Sequence, residues 1–366
     1  MSFFSLKRKM VCGIAILFTA STSLMPSALA CTRVLYQGEN NTVITARSMD
    51  WVEDIRSNLW LLPRGIKRNG NAGTNSIQWV SKYGSVITSG YDIGTADGMN
   101  EKGLVVNLLY LAESGYGSLE GKPPLSISLW GQYILDQYAT VAEAVEALQK
   151  EPFRLIAPSL PNGQGAQLHL AISDAQGDSA VLEYIKGKLV IHHSKEYTVM
   201  TNSPSYDQQL ALNEYWKGIG GLTFLPGTNR AADRFARASF LLSAIPRKTD
   251  PNYIKAIPGG VYATQALASM LSLIRGVSVP LGISTPGQPN ISSTVWRTVA
   301  DQKNLIYAFD SATSPNAFWV PFAGLDFKEG APVKKLTLVG GRVYSGDATK
   351  SFETATPFEF LPAKAD

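Results

Sequence analysis

The chain is expected to fold as an α+β protein in which antiparallel sheets are covered by helices. Three observations carry this expectation. Short β-branched runs come in blocks, and pairs of helical segments separate the blocks instead of alternating with single strands. Hydrophobic residues make up 45% and charged residues 17% of 366 positions, which suits a globular protein with a large core. No repeat, low-complexity tract or boundary interrupts residues 31–366, so they are read as one domain behind a leader at 1–30.

In chain order, 32–37 and 42–47 are rich in β-branched residues and flank Gly38-Glu39-Asn40-Asn41, a turn cluster. They predict a hairpin whose second strand ends at Arg47, with Ser48-Met49-Asp50-Trp51 leaving it. Further strands are expected at 57–62, 76–80, 84–89 and 104–109, and Asp97 to Gly103 is read as a turn with two glycines. An apolar face predicts a helix at 125–137. A second helix at 140–149 starts at Thr140, with Glu143 in capping-box position. Strands are expected at 167–173, 179–185, 188–193 and 197–201, and helices at 205–216, 231–244 and 262–275. The Gly- and Pro-rich stretch 276–290 reads as a loop, and final strands fall at 294–300, 303–309, 317–320 and 334–344.

The leader has a basic start, Lys7-Arg8-Lys9, an apolar run from Met10 to about Ala20, and small residues at Ala28 and Ala30 that fit an A-x-A cleavage site. The run is about half of the roughly 20 residues that span a bilayer. Cleavage after Ala30 makes Cys31 the first residue, which places a thiol and a free α-amine on one residue: a nucleophile with a built-in base. The rival reading is a non-catalytic, ligand-binding lipoprotein anchored at Cys31; against it, Leu29 stands two residues before the Cys instead of three. Cys12 lies in the apolar run, so the mature chain holds one Cys and forms no internal disulfide. The leader carries three basic and no acidic residues, so its removal lowers the formal net charge from +4 to +1. That leaves no electrostatic case for nucleic acid. No stable membrane insertion is expected after cleavage, and the location is read as periplasmic or secreted.

Five motifs occur in order: Cys31-Thr32-Arg33, Arg47-Ser48-Met49-Asp50-Trp51, Asn100-Glu101-Lys102-Gly103-Leu104, Thr201-Asn202-Ser203-Pro204 and Arg234-Phe235-Ala236-Arg237. Together they resemble the choloylglycine hydrolase family, which includes bile salt hydrolases, penicillin V acylases and acyl-homoserine-lactone acylases. The resemblance implies the N-terminal-nucleophile fold, two stacked antiparallel sheets between helical layers (αββα). It also implies a hydrolase of linear amides that needs no cofactor or metal, and often a homotetramer. The partner would be a small-molecule amide, with a hydrophobic acyl group on a polar amine.

Residue by residue, the resemblance makes Cys31 the nucleophile. Arg47 would favour its thiolate, and Asp50 would hold the α-amine through a charge-assisted hydrogen bond. Asn202 would donate from its side chain to the oxyanion, with the backbone N–H of Tyr110 as second donor. Arg234 would stabilise charge in the site; its rival reading, with Arg230 and Arg237, is a solvated helix face. Trp51 is a candidate for substrate binding or an ordinary core residue. His169, His192 and His193 lack metal-ligand spacing. Tyr110, Trp51 and the leader rank penicillin V or an acyl-homoserine lactone ahead of bile salts as substrate.

Overall fold

The structure, a computed structural model, describes residues 30–283 and 292–364; all but the last residue of the leader expected at 1–30, and part of the 276–290 loop, lie outside them. The hairpin is present as β1 (Thr32–Gln37) and β2 (Val43–Trp51). β2 does not end at Arg47. It runs on through Trp51 because a distant strand, Ser293–Asp301, pairs with its other edge and opposes Met49 with Trp296 and Asp50 with Thr294. Local sequence contains no trace of that partner.

Two sheets form the centre. Besides β1 and β2 the strands are β3 (Leu59–Leu62), β4 (Ser85–Gly90), β5 (Gly94–Asn100), β6 (Val105–Tyr110), β7 (Leu168–Ser173), β8 (Ser179–Ile185), β9 (Lys188–His193), β10 (Val199–Met200), β11 (Ser293–Asp301), β12 (Ile306–Ser311), β13 (Ala317–Pro321), β14 (Lys334–Leu336), β15 (Gly346–Asp347) and β16 (Glu353–Thr354). The first sheet has seven strands in the order β10-β1-β2-β11-β12-β13-β15, and the second has nine in the order β9-β8-β7-β6-β5-β4-β3-β14-β16. Within these two sheets the described pairs are antiparallel except β13 with β15. Two small sheets stand apart, Lys67–Asn69 with Gln78–Val80 and Pro124–Ser126 with Arg154–Ile156.

Helices α1 (Trp130–Gln137) and α2 (Val141–Leu148) pack on the nine-stranded sheet, and α3 (Tyr206–Ile219), α4 (Ala231–Ala244) and α5 (Tyr262–Gly276) lie on the side of the seven-stranded one. Thr140 caps α2 by accepting from the Glu143 N–H at 3.2 Å, and Glu143 accepts from the Ala139 N–H at 2.9 Å. The predicted helix at 125–137 is shorter than expected, because Pro124–Ser126 is a strand and Ile127–Leu129 a 3-10 turn. The strand expected over 334–344 shrinks to Lys334–Leu336.

Period-two alternation divides the nine-stranded sheet between two cores. Leu59, Leu61, Val86, Met99, Val105 and Leu109 face the seven-stranded sheet. Trp60, Leu62, Ile87, Val106, Leu170 and Leu182 face α1 and α2. The segment expected to turn from Asp97 is mostly strand: β5 runs to Asn100, and only the residues after it turn. Gly98 is there for close packing, since a Cβ would lie 2.8 Å from the Ile87 Cγ2 and 2.9 Å from the Val86 carbonyl oxygen.

The inter-sheet space also holds charge. Arg47, fully buried on β2, places Nη1 4.0 Å from the Asp97 carboxylate on β5. Asn107 donates to Asp97 at 2.6 Å, and the Tyr307 hydroxyl on β12 donates to its other oxygen. Burial pushes the Asp97 carboxyl up, and Arg47 and these donors oppose it.

Two substitutions test this packing by denaturant unfolding. Gly98→Ala should destabilise by about 1–3 kcal/mol through overpacking. Asp97→Asn leaves the guanidinium without its counter-charge and should cost about 3–5 kcal/mol; a loss below 1 kcal/mol would show that Arg47 does not depend on Asp97.

Candidate active site

Cys31 sits at the free end of β1, with Thr32 opposite Ser48, so that alternation places Cys31 on the face of Arg47, Met49 and Trp51. Its thiol is buried against the Met49 sulfur (3.8 Å) and donates towards the Asp50 carbonyl (3.8 Å). The Arg47 Nη2 lies 3.9 Å from Sγ and donates to the Leu108 carbonyl at 2.7 Å. The Arg47 guanidinium stacks on Trp296, 4.6 Å from the ring centroid. Burial raises the Cys31 thiol pKa, and Asp50 adds to the rise. Arg47 and Arg234 act in the opposite sense, as expected of cations, but burial outweighs them.

The main chain of Cys31 is gripped from the helical side. Its N–H donates to Asn202 Oδ1 at 2.5 Å, and its carbonyl accepts from Arg234 Nη1. Arg234 also donates to Thr32 Oγ1 (2.6 Å), to Asn202 Oδ1 (2.8 Å) and, through Nε, to the Asn229 carbonyl (3.0 Å). It points inward from α4 and is fully buried, whereas Arg230 is exposed and precedes the helix, and Arg237 holds the Pro226 and Thr228 carbonyls. The solvated-face reading therefore does not describe Arg234.

Asp50 projects from the opposite face of β2 to Arg47, by alternation. One oxygen accepts from the Thr294 hydroxyl at 2.5 Å; the other is buried without a partner. Burial pushes its carboxyl up to about 6, against the pull of Arg234, the Thr294 hydrogen bond and Arg47.

Asn202 Nδ2 donates to the Tyr110 carbonyl at 2.8 Å. An amide NH2 has two hydrogens, so one stays available. The Tyr110 N–H is placed by the ladder. Leu111 donates to the carbonyl of Gln167, the residue just before β7, so by antiparallel alternation the polar groups of 108 and 110 point to the other side of β6. On that side the β5 pairing stops at Asn107. The Leu108 and Tyr110 carbonyls take their donors from Arg47 and Asn202, and the Tyr110 N–H faces the same gap. The Tyr110 hydroxyl points elsewhere, to Gln167 at 3.0 Å.

Beside this gap, and sharing Leu108 with it, lies a cavity of about 90 Å³ with almost wholly apolar walls. Met49 and Trp51 of β2, Ala96 of β5, Leu108 of β6, Ile127 and Leu160 contribute to its lining. Trp51 is therefore a wall residue, not merely core; its indole N–H donates to the Tyr91 hydroxyl at 2.7 Å. It also borders a second cavity, about 410 Å³, floored by Trp296, Phe309 and Phe318. His169 and His193 pair with Glu183 (2.9 Å) and Asp178 (2.8 Å), and His192 packs on Tyr206.

The structure thus brings together Cys31, Arg47, Asp50, Tyr110, Asn202 and Arg234. Sequence reasoning missed Met49, Asp97 and Thr294. Extending the alternation of β2 past Arg47 would have found Met49; Asp97 was hidden in a supposed turn, and Thr294 gives no local signal.

Residues 31–330 match the sequence model of the linear amide C–N hydrolases, choloylglycine hydrolase family. A penicillin V acylase of Pectobacterium atrosepticum is 50% identical over 366 residues, covering 96% of each chain. A bile salt hydrolase/transferase of Clostridium perfringens is 30% identical over 243 residues, 59% of this chain and 72% of that one. Among solved structures, penicillin V acylase from Agrobacterium tumefaciens superposes with a TM-score of 0.82 at 54% identity, covering 91% of this chain and all of that one. A conjugated bile acid hydrolase from C. perfringens shares the fold at a TM-score of 0.68 and 21% identity, covering 87% of this chain and 98% of that one. By its family match over most of its length, and by half its residues shared with a full-length relative, the chain belongs to the choloylglycine hydrolase family of linear amide C–N hydrolases.

Proposed function

We propose that the protein is an exported amidohydrolase whose nucleophile is Cys31, uncovered by cleavage after Ala30. The observation that carries this reading is the convergence on one residue. Asn202 and Arg234 grip the main chain of Cys31, Arg47 lies beside its sulfur, and Met49 connects that sulfur to an apolar cavity. The family match, moreover, opens at residue 31.

In the proposed reaction the thiol proton passes to the new α-amine and the thiolate attacks the amide carbonyl, forming a C–S bond. The oxyanion takes hydrogen bonds from Asn202 Nδ2 and the Tyr110 N–H. The C–N bond then breaks, and the amine leaves with the proton returned by the α-amine. Water attacks the thioester, again with the α-amine moving the proton, to release the acid and restore the thiol. Arg47 offsets the thiolate charge, Arg234 fixes the Cys31 carbonyl, and the unpartnered oxygen of Asp50 holds the α-amine. No cofactor enters these steps.

Penicillin V or an acyl-homoserine lactone is the preferred substrate. A cavity of about 90 Å³ suits a ring or short chain and is small beside the 300 Å³ or more that encloses a drug-sized molecule. The two penicillin V acylases above, at 50% and 54% identity, support the same choice. Bile salt hydrolysis is the second reading, on the strength of the C. perfringens relative. The location is periplasmic or secreted, and the assembly a homotetramer, which light scattering on the purified protein tests.

Intact mass of the exported protein should correspond to 31–366. Added acyl mass would instead support the lipoprotein. Rates on penicillin V, a long-chain acyl-homoserine lactone and glycocholate should rank glycocholate last, and turnover of glycocholate alone would reverse the order. Cys31→Ala should abolish turnover with the fold intact, and Cys31→Ser should keep a trace.

A pH measurement tests Asp50. The active form is the carboxylate, so its protonation removes activity as pH falls. Thr294→Val deletes a donor that lowers the Asp50 pKa, so the acid limb of kcat/KM should move to higher pH by about 1 unit. An unmoved limb would place that ionisation elsewhere.

A further inference from the structure

We propose that Gln209, which none of the site motifs contains, is a positioning residue that aims the Asn202 amide at the oxyanion. The inference rests on the assignment of Asn202 above.

An oxyanion donor is useful only if its backbone is fixed, because a misplacement of about 1 Å can cost 100-fold in rate. Asn202 lies in the short connection between β10 and α3, where nothing in a sheet ladder holds it. Gln209, in the first turns of α3, is 2% exposed and reaches back into that connection. Its Nε2 donates to the Asn202 carbonyl and, at 3.2 Å, to the Pro204 carbonyl. Its Oε1 accepts from the Thr201 hydroxyl at 2.8 Å. The amide has only one workable orientation, since a flip would set its oxygen against two carbonyl oxygens.

Both ends of this clamp are anchored. The Tyr206 N–H at the start of α3 donates to both oxygens of the buried Glu183 on β8, each at 3.1 Å. Thr201 Oγ1 is also 3.0 Å from the carbonyl of Ala231, the first residue of α4. Three residues on, Arg234 holds Asn202 Oδ1. Asn202 is therefore held at its main chain by α3 and at its side chain by α4, and Gln209 joins the two grips. Buried ionisable side chains on the surrounding elements include Arg33 on β1, Glu183 on β8 and Arg234 on α4; none of them hydrogen-bonds to Gln209.

The test uses Gln209→Leu and Gln209→Glu with penicillin V. The Leu variant should lose about 10- to 100-fold in kcat with KM within twofold, as a transition-state donor drifts. Alkylation of Cys31 by iodoacetamide should fall far less than kcat, because Arg47 still flanks the sulfur and Arg234 still holds the Cys31 carbonyl, and alkylation forms no oxyanion. The Glu variant carries its own switch. As a neutral carboxyl it can still donate once and accept once; ionised, it cannot donate and faces two carbonyl oxygens. Its kcat should approach wild type at acid pH and show a descending limb, absent from wild type, as pH rises. A purely structural role predicts parallel pH profiles. Those, or a folded Leu variant with kcat within twofold of wild type, or alkylation falling in step with kcat, would overturn the inference. If the Leu variant does not fold, the Glu profile decides. A wild-type enzyme silent on penicillin V contradicts the substrate reading alone, and the same measurements then use whichever amide of the three it cleaves.

Discussion

A guanidinium held between two sheets, away from water, constrains everything around it. Arg47 must find its partners inside the protein, and it finds them on both sheets: the Asp97 carboxylate, the Leu108 carbonyl, the Trp296 ring and the Cys31 sulfur. A buried cation is costly unless paired. The two sheets are thereby fixed in the stacking that delivers a positive charge to the thiol. The Tyr307 and Asn107 donors that support Asp97 extend the same constraint one layer outward.

The site exists because a ladder ends. β5 and β6 stop pairing at Asn107, and the Leu108 and Tyr110 carbonyls, which would otherwise face β5, turn to Arg47 and Asn202 instead. Buried backbone groups need partners, and two carbonyls find them in Arg47 and Asn202. The N–H of Tyr110 faces the space where an amide carbonyl could enter. The parting of the strands thus supplies the polar groups beside the apolar cavity.

Geometry and charge are separable in this chain. With Ala30 still attached, the nitrogen and carbonyl of Cys31 are already held by Asn202 and Arg234, and Arg47 already flanks the sulfur. Burial nevertheless keeps the thiol on the protonated side, and one oxygen of Asp50 has no partner. On the proposed reading, cleavage changes the charge on one nitrogen within a site whose atoms are in place. Preorganisation of this kind leaves little to rearrange at the moment of reaction.

What the sequence by itself determined was whatever short range controls. The β1–β2 hairpin follows from a turn cluster between β-branched runs and the start of α2 from Thr140 and Glu143, and helices were expected at 205–216, 231–244 and 262–275, where α3 to α5 lie. The motifs at Cys31, Arg47, Asp50, Asn202 and Arg234 named the residues that converge, though chemistry alone could not say how. Tertiary structure decided the rest, for a physical reason in each case. β2 continues past Arg47 because β11, more than 240 residues on, pairs with it. Gly98 lies in a strand because β4 and β6 pair with it on both sides, where local composition suggested a turn, and Ile87 leaves no room there for a Cβ. Asp97 and Thr294 join the site through cross-strand and inter-sheet contacts that leave no mark near them in the chain. Local rules place the elements; which donor meets which acceptor is settled only when two sheets close over buried charge.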